Sequence, residues 1–184
     1  MTSPDAIVTT ERLRLIPLSA ALIDAVLAGD LVGAQQVAPF PVTDQTFVAD
    51  QAVLRMRQAQ LQVDPTIEAW LYRAAVDRQT GQVVARIGFH AQPDAVGTVE
   101  VGYSVQADHR RRGLATEMTL ALVAWGRANG ARTVLASTSP ANLASQGVLA
   151  RLGFVRTGEQ IDEVDGLEWV FTLAPRRTAG DNDG

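Results

Sequence analysis

The 184-residue chain has 47% hydrophobic and 20% charged residues, which is typical of a folded domain and excludes a mostly disordered protein. Its net charge of −4 disfavours a general nucleic-acid-binding surface. The absence of Cys excludes thiolate nucleophiles. All 16 basic residues are Arg, which excludes a lysine Schiff base. Two His residues are too few for a His-rich metal centre, so we predict no metal site.

The sequence also predicts how the chain is organised and where it is located. We expect a single domain over residues 1–175, followed by a flexible tail over residues 176–184. No apolar run reaches the roughly 18 residues that a membrane helix needs, and the first residues lack the pattern of a secretory signal. We therefore expect a cytoplasmic protein that does not act at a membrane.

The first half of the chain predicts two helices and four strands. Alternating polar and apolar residues indicate a strand at 11–17, and Ser19 is a suitable N-cap for a helix that ends near residue 27. A second helix is predicted at about 47–62. Turn residues separate the three strands that follow, which predicts an antiparallel meander. These strands cover residues 67–77, 82–91 and 96–105.

The second half of the chain alternates between helical and strand patterns. Apolar residues at helical spacing predict a helix over 113–129. A nearly all-apolar run at 132–138 predicts a buried strand, which a helix at about 141–152 follows. The two closing strands, at 154–159 and 168–173, flank an acidic loop. This order of elements predicts an α/β protein with a partly antiparallel sheet.

The strongest functional signal is a basic turn between a predicted strand and a predicted helix. It consists of Arg110, Arg111, Arg112, Gly113, Leu114, Ala115 and Thr116. A helix N-terminus presents unpaired backbone N–H groups and the positive end of the helix dipole. Gly113 lets a ligand approach the backbone closely and the arginines add charge, so the turn is suited to binding a pyrophosphate. The alternative is an arginine-rich turn that contacts only solvent.

This turn resembles the acyl-CoA pyrophosphate loop, Arg/Gln-x-x-Gly-x-Gly/Ala, of the GCN5-related N-acetyltransferases. Residues 100–117, 142–154 and 10–15 resemble the branch of that superfamily that includes the ribosomal-protein N-terminal acetyltransferases. The resemblance implies a mixed, mostly antiparallel sheet of six or seven strands flanked by helices, whose fourth and fifth strands splay apart to admit acyl-CoA. It also implies transfer of an acetyl group from acetyl-CoA, a co-substrate, to an amine.

The predicted strand at 98–105 supplies a candidate base and a candidate oxyanion donor. Glu100, Gly102 and Ser104 share one face, where a carboxylate beside a glycine can accept the proton of the amine, directly or through water. A backbone N–H near Ser104 or Val105 is suited to stabilising the tetrahedral oxyanion. The alternative for Glu100 is a solvated position on a half-exposed strand.

Two polar residues one helical turn apart complete the predicted site. The resemblance implies that Asn142 contacts the pantetheine arm and that Ser145 lies near the sulfur atom, where the leaving thiolate needs a proton. The alternatives are a helix cap for Asn142 and a packing role for Ser145. His90, at the end of a predicted strand, is a candidate for lining an acceptor pocket or for a structural role.

We therefore predict an N-acetyltransferase that acts on a primary amine, on a protein N-terminus or a small molecule, by direct attack in a ternary complex. The alternatives are a non-catalytic acyl-CoA-binding regulator and, disfavoured by the net charge, an aminoacyl-tRNA acetyltransferase. We expect a monomer or a homodimer. An acidic cluster between the closing strands favours a cationic acceptor, unless it is a solvated turn. This cluster consists of Asp162, Glu163, Asp165 and Glu168.

Overall fold

The computed structural model describes residues 6–162 and 166–174. The predicted tail at 176–184 lies outside the described residues, as do Glu163 and Asp165 of the acidic loop. The described strands are β1 (Val8–Thr9), β2 (Leu13–Pro17), β3 (Arg73–Asp77), β4 (Val83–Phe89), β5 (Thr98–Val105), β6 (Thr133–Thr138), β7 (Val155–Asp162) and β8 (Gly166–Leu173). The described α-helices are α1 (Ala20–Leu27), α2 (Leu31–Val37), α3 (Gln51–Val63), α4 (Leu114–Ala128) and α5 (Leu143–Arg151).

The described strands form one sheet in the order β1-β2-β3-β4-β5-β6-β8-β7. Every neighbouring pair is antiparallel except β5 and β6, which are parallel. The prediction of a mixed, mostly antiparallel sheet is therefore confirmed. The sheet has eight strands rather than six or seven because β1, only two residues long, pairs with β2 in a short ladder that no sequence pattern marks.

Strands β5 and β6 separate along much of their length. Their parallel register joins residues 98–100 to residues 133–135, whereas β5 continues to Val105 and β6 to Thr138. When the short β1 is left out of the count, these are the fourth and fifth strands, between which the sequence predicts a splay. A gap therefore opens in the sheet beside the second half of β5.

The two faces of the sheet have different cores. On one face, Met118 and Leu122 of α4 share a core with Ile87 and Val101 of the sheet. On the other face, Leu54 of α3 belongs to a second core that covers the first strands. Because side chains alternate along a strand, the remaining residues of β4 and β5 point to this second face. They include residues 86, 88, 100, 102 and 104.

Two elements before β3 differ from the sequence predictions. Helix α2 is absent from those predictions, and it forms because the Asp30 carboxylate caps it, accepting the Gly33 N–H at 2.9 Å. The predicted strand at 67–77 begins only after a 3₁₀ helix at Pro65–Trp70, which the side chain of Asp64 caps. In both cases a local aspartate cap decides the structure where the apolar pattern is ambiguous.

Candidate active site

The loop before α4 has the geometry of an anion-binding turn. Arg111 and Gly113 have positive φ angles of 59° and 77°, and the chain reverses sharply at the start of the helix. Gly113 is the N-cap and makes no side-chain cap, so the N–H groups of the first turn have no acceptor within the helix. These N–H groups and the helix dipole favour an anion at this position.

A single carboxylate fixes this loop to the N-terminal strands. Glu117, in the first turn of α4, accepts hydrogen bonds from Thr10 Oγ1 at 2.6 Å and from Arg12 Nε at 2.7 Å. Arg12 also donates from Nη1 to the carbonyl oxygen of Arg112 at 2.8 Å. Partial burial opposes the charge of Glu117, but the hydrogen bonds from Thr10 and Arg12 outweigh it and lower its pKa. The opening motif and the pyrophosphate-loop motif therefore meet in space.

A groove of about 810 Å³, here called the cofactor groove, runs between this loop, the end of β5 and α5. It contains Ser145 and all but one of the predicted cofactor-binding residues. Those residues are Ser104, Val105, Arg110, Arg111, Gly113, Leu114, Ala115, Thr116 and Asn142. Arg112 is the exception among the described residues: its side chain is exposed outside the groove, and its carbonyl oxygen is held by Arg12. Its role in binding the cofactor stays a prediction.

The backbone of β5 directs alternate N–H groups into the gap beside β6. Its even-numbered residues are hydrogen-bonded to β4, as the bond from the His90 N–H to the Glu100 carbonyl oxygen at 2.8 Å shows. Because such bonds alternate along an antiparallel pair, the N–H groups of Tyr103 and Val105 face the gap instead. Of the two predicted oxyanion donors, Val105 therefore fits, and Ser104 has its N–H directed at β4.

A second cavity, here called the acceptor cavity, has a volume of about 400 Å³ and lies between β4, β5, α3 and the end of β6. Its floor includes the glycine pair Gly88 and Gly102, where an added Cβ would meet the Leu71 backbone and the His90 ring respectively. The acceptor cavity and the cofactor groove share three lining residues: Tyr103, Asn142 and Ser145. The two spaces therefore meet at this point.

A pair of hydroxyl groups lies where the two spaces meet. The oxygen atoms of Tyr103 and Ser145 are 2.9 Å apart, and either can donate. Burial raises the pKa of Tyr103, although the hydrogen bond with Ser145 opposes this, so the phenol keeps its proton at neutral pH. Tyr103 is absent from the predicted site residues although it lies within the 100–117 segment that carries the family resemblance, because strand alternation groups it with the valines of β5.

Asn142 combines the two roles that the sequence left open. Its Oδ1 accepts the Ser145 N–H at 3.1 Å, so it caps α5, and its side chain also lines both the groove and the cavity. The cap positions Ser145 at the start of the helix. This arrangement holds the Ser145 hydroxyl toward Tyr103.

His90 connects the predicted base Glu100 to the acceptor cavity. Among the described residues that line the cavity, His90 is present and Glu100 is not, but Glu100 Oε2 lies 3.7 Å from His90 Nδ1. A Cβ on Gly102 would lie 2.8 Å from His90 Nε2, so the imidazole ring extends over Gly102 on the cavity floor. The geometry therefore places a carboxylate–imidazole pair with its second nitrogen at the cavity.

The surroundings of His90 favour its neutral form, chiefly through loss of hydration. Burial lowers its pKa and the Arg57 guanidinium lowers it further, whereas the carboxylates of Glu100 and Asp162 oppose the shift. Since the pKa lies below the ordinary value, the imidazole is neutral near pH 7 and able to accept a proton. Arg57 and Arg86 also line the cavity, and Arg57 is absent from the sequence predictions because no motif lies between residues 30 and 70.

Comparisons with known proteins identify the family of the chain. Residues 12–155 match the family model described as the acetyltransferase (GNAT) domain, which is more than half of the chain. The chain belongs to the GNAT acetyltransferase family. A relative of this GNAT protein is the uncharacterized N-acetyltransferase YjdG of Bacillus subtilis, 27% identical over 154 residues that cover 79% of this chain and 88% of the relative. The predicted family is thereby confirmed.

Solved structures show the same fold. The ribosomal-protein-S5-alanine acetyltransferase of Vibrio fischeri superposes with a TM-score of 0.63 at 16% identity, covering 93% of this GNAT chain and 97% of its own. The microcin C7 self-immunity acetyltransferase MccE, solved with acetyl-CoA and AMP, gives a TM-score of 0.61 at 12% identity over 90% and 93% of the two chains. Within the part of the chain that the structure describes, no helix is long and apolar enough to cross a membrane.

Proposed function

We propose that this acetyltransferase moves the acetyl group of acetyl-CoA to a primary amine in the acceptor cavity, by direct attack in a ternary complex. The observation that carries the proposal is the meeting of the cofactor groove and the acceptor cavity at Tyr103 and Ser145. A thioester in the groove and an amine in the cavity reach each other there without a covalent intermediate on the protein.

The residues of the cofactor groove fit acetyl-CoA. The uncapped N–H groups of α4 suit the pyrophosphate, and Arg110 is held beside them by a hydrogen bond from its Nε to the Val105 carbonyl oxygen at 3.0 Å. The backbone N–H groups that β5 directs into the gap suit the amide groups of the pantetheine arm. When bound, acetyl-CoA supplies the thioester that the amine attacks.

The acceptor amine attacks as a neutral group, so its ammonium form first loses a proton. In the proposed mechanism His90 Nε2 takes that proton, and Glu100, the base candidate of the sequence, orients the ring and stabilises its charge through Nδ1. Glu100 then acts as a positioning residue whose carboxylate raises the basicity of His90. The proton leaves to solvent after each turnover.

Transfer forms a C–N bond and breaks the C–S bond of the thioester. The oxyanion of the tetrahedral intermediate accepts a hydrogen bond from the N–H of Tyr103 or Val105 in the gap. The leaving thiolate takes a proton from the hydroxyl pair of Tyr103 and Ser145, and the second proton of the attacking nitrogen, lost as the C–S bond breaks, restores the pair. The products are an N-acetylated amine and the free thiol of CoA.

A non-catalytic regulator would need the cofactor groove alone, whereas this chain adds an acceptor cavity with a carboxylate–imidazole pair. The net charge of −4 continues to disfavour an aminoacyl-tRNA acceptor. The proposal covers both small-molecule amines and protein N-termini. The cytoplasmic location and the monomeric or homodimeric state stay predictions.

The test is the release of CoA thiol from acetyl-CoA, followed with a thiol reagent over a panel of amines. The panel contains N-terminal peptides, amino acids, polyamines and aminoglycosides, and acetyl-CoA binding is measured in parallel by calorimetry. We expect thiol release that depends on the amine, with at least one class active. Binding of acetyl-CoA with no amine-dependent release would instead support a regulator.

A further inference from the structure

The acceptor cavity has a basic wall. Arg57, from α3, and Arg86, from β4, both line it. Arg57 is only 7% exposed, and no carboxylate of the described residues forms an ion pair with it, which is rare for a buried arginine. Burying a guanidinium group that has no paired charge is unfavourable unless something of opposite charge binds there.

The hydrogen bonds of Arg57 leave donors for a ligand. Its Nη1 donates to Gln60 Oε1 at 2.7 Å and to the carbonyl oxygen of His90 at 3.1 Å, and both acceptors are uncharged. A guanidinium has five N–H groups, and among the described residues Nε and Nη2 have no acceptor. Burial and the nearby Arg86 charge lower the pKa of Arg57.

Arg86 differs because a carboxylate accompanies it. Its Nε lies 2.9 Å from Asp50 Oδ1, although this ion pair lacks hydrogen-bond geometry, and Tyr72 donates to the other oxygen of Asp50 at 2.7 Å. Asp50 therefore balances Arg86, whereas no carboxylate in the described part of the chain pairs with Arg57. The positive charge available to a ligand comes chiefly from Arg57.

The cavity also has acidic groups. Glu168, from β8, lines it, and Glu100 lies behind His90. An ammonium group is attracted to these carboxylates and an anionic group to the arginines, so the cavity is complementary to a molecule that carries both. The volume of about 400 Å³ suits a small molecule.

We propose that the acceptor is a small amine that also carries an anionic oxygen group, a carboxylate or a phosphate, which Arg57 binds while the amine faces His90. This inference rests on the proposed function and names the substrate class of that site. It differs from the cationic preference that the acidic loop favours in the sequence, because the loop does not reveal the arginines on the other wall.

The test compares each acceptor with a matched analogue without the negative charge. Initial rates of CoA release are measured for the common L-amino acids, for their amides, and for aminoalkyl phosphonates of equal chain length. The amide has the more acidic ammonium group and hence more neutral amine, so a preference for the free acid cannot arise from amine protonation. We expect kcat/KM for an acid to exceed that for its amide by about 10- to 100-fold. The phosphonates show which anion fits better.

Variants of α3 connect the preference to Arg57. Arg57→Gln removes the cavity charge, and Arg55→Gln removes an exposed charge from the same helix and serves as the matched control. We expect Arg57→Gln to lower kcat/KM for the acid by about 10- to 100-fold, with little change for the amide, and Arg55→Gln to change neither. Melting temperature and acetyl-CoA affinity report whether each variant is folded.

The possible outcomes separate this inference from the proposed function. Equal rates for acids and amides in the wild-type protein would overturn the inference, and this measurement needs no variant to fold. Acetylation confined to C-terminally amidated peptides, polyamines or other amines without an acid group would also overturn it, although acetyl transfer would stand. No amine-dependent CoA release at all would overturn the proposed function itself.

Discussion

Gly102→Ala is a small change aimed at the position of His90. The added Cβ would lie 2.8 Å from His90 Nε2, and the nearest other atoms within 4 Å belong to the same ring. Normal contacts are about 3.5 Å or longer, so the ring must move by about half an ångström or more. The imidazole is the end of a flexible side chain, and the fold can therefore absorb the shift.

The expected magnitude follows from the geometry of proton transfer. A misplacement near 1 Å in a reacting group can lower a rate by about 100-fold, so we expect kcat to fall by about 10- to 100-fold. Acetyl-CoA affinity should stay within about 2-fold of wild type, because Gly102 does not line the cofactor groove. Thermal stability should not fall, since alanine reduces the freedom of the unfolded chain where the backbone accepts it.

The assay measures kcat from CoA release and acetyl-CoA affinity by calorimetry, with Gly158→Ala as the control. Gly158 is also a strand glycine, and a Cβ there would meet no atom within 4 Å. The double variant Gly102→Ala with His90→Ala should be no slower than His90→Ala alone, because both changes act through the same ring. A wild-type kcat for Gly102→Ala, or additive losses in the double variant, would refute the reasoning.

Three further predictions concern the arginines of the loop before α4, Glu100, and Glu117, which anchors that loop. In calorimetry, Arg110→Ala should raise the acetyl-CoA Kd by about 10- to 100-fold and Arg112→Ala by less than about 3-fold. Equal losses of acetyl-CoA affinity in the two variants would contradict the placement of Arg112 outside the groove. Glu100→Gln should lower kcat by about 10²- to 10⁴-fold. It should also move the acidic limb of the kcat/KM profile to lower pH, because losing the carboxylate makes His90 easier to deprotonate. An unchanged rate and pH profile would mean that Glu100 has no part in the reaction. Glu117→Gln should raise the acetyl-CoA Kd by about 3- to 10-fold, since the carboxylate bonds from Arg12 and Thr10 hold the loop; an unchanged Kd would show that the loop holds its shape without this anchor.

The sequence predicted the parts of the fold that strong patterns mark. The helix from Leu114 to Ala128 has apolar residues at helical spacing, and the pyrophosphate-loop motif lies at its start as expected. Helix α2 was missed because its stability depends on the Asp30 cap and on packing against α1, and its sequence contains a glycine and two valines with weak helical preference. The short β1 exists only as a partner of β2.

The candidate site likewise has one part that the sequence predicts and one part that it does not. The residues of the cofactor groove are close together in the chain and follow from a motif, whereas the acceptor cavity is assembled from segments far apart in sequence. Arg57 approaches His90 across 33 positions and Tyr103 approaches Ser145 across 42. Such pairings depend on strand order and on the splay of β5 and β6, and no local pattern encodes them.

The most direct test of direct acetyl transfer is the initial-rate pattern when acetyl-CoA and the best amine of the panel are varied together. Attack in a ternary complex predicts reciprocal plots whose lines intersect, with one acetylated amine formed for each CoA released. Parallel lines would indicate an acetylated protein intermediate, and CoA release that does not depend on the amine would contradict acetyl transfer to an acceptor in the cavity.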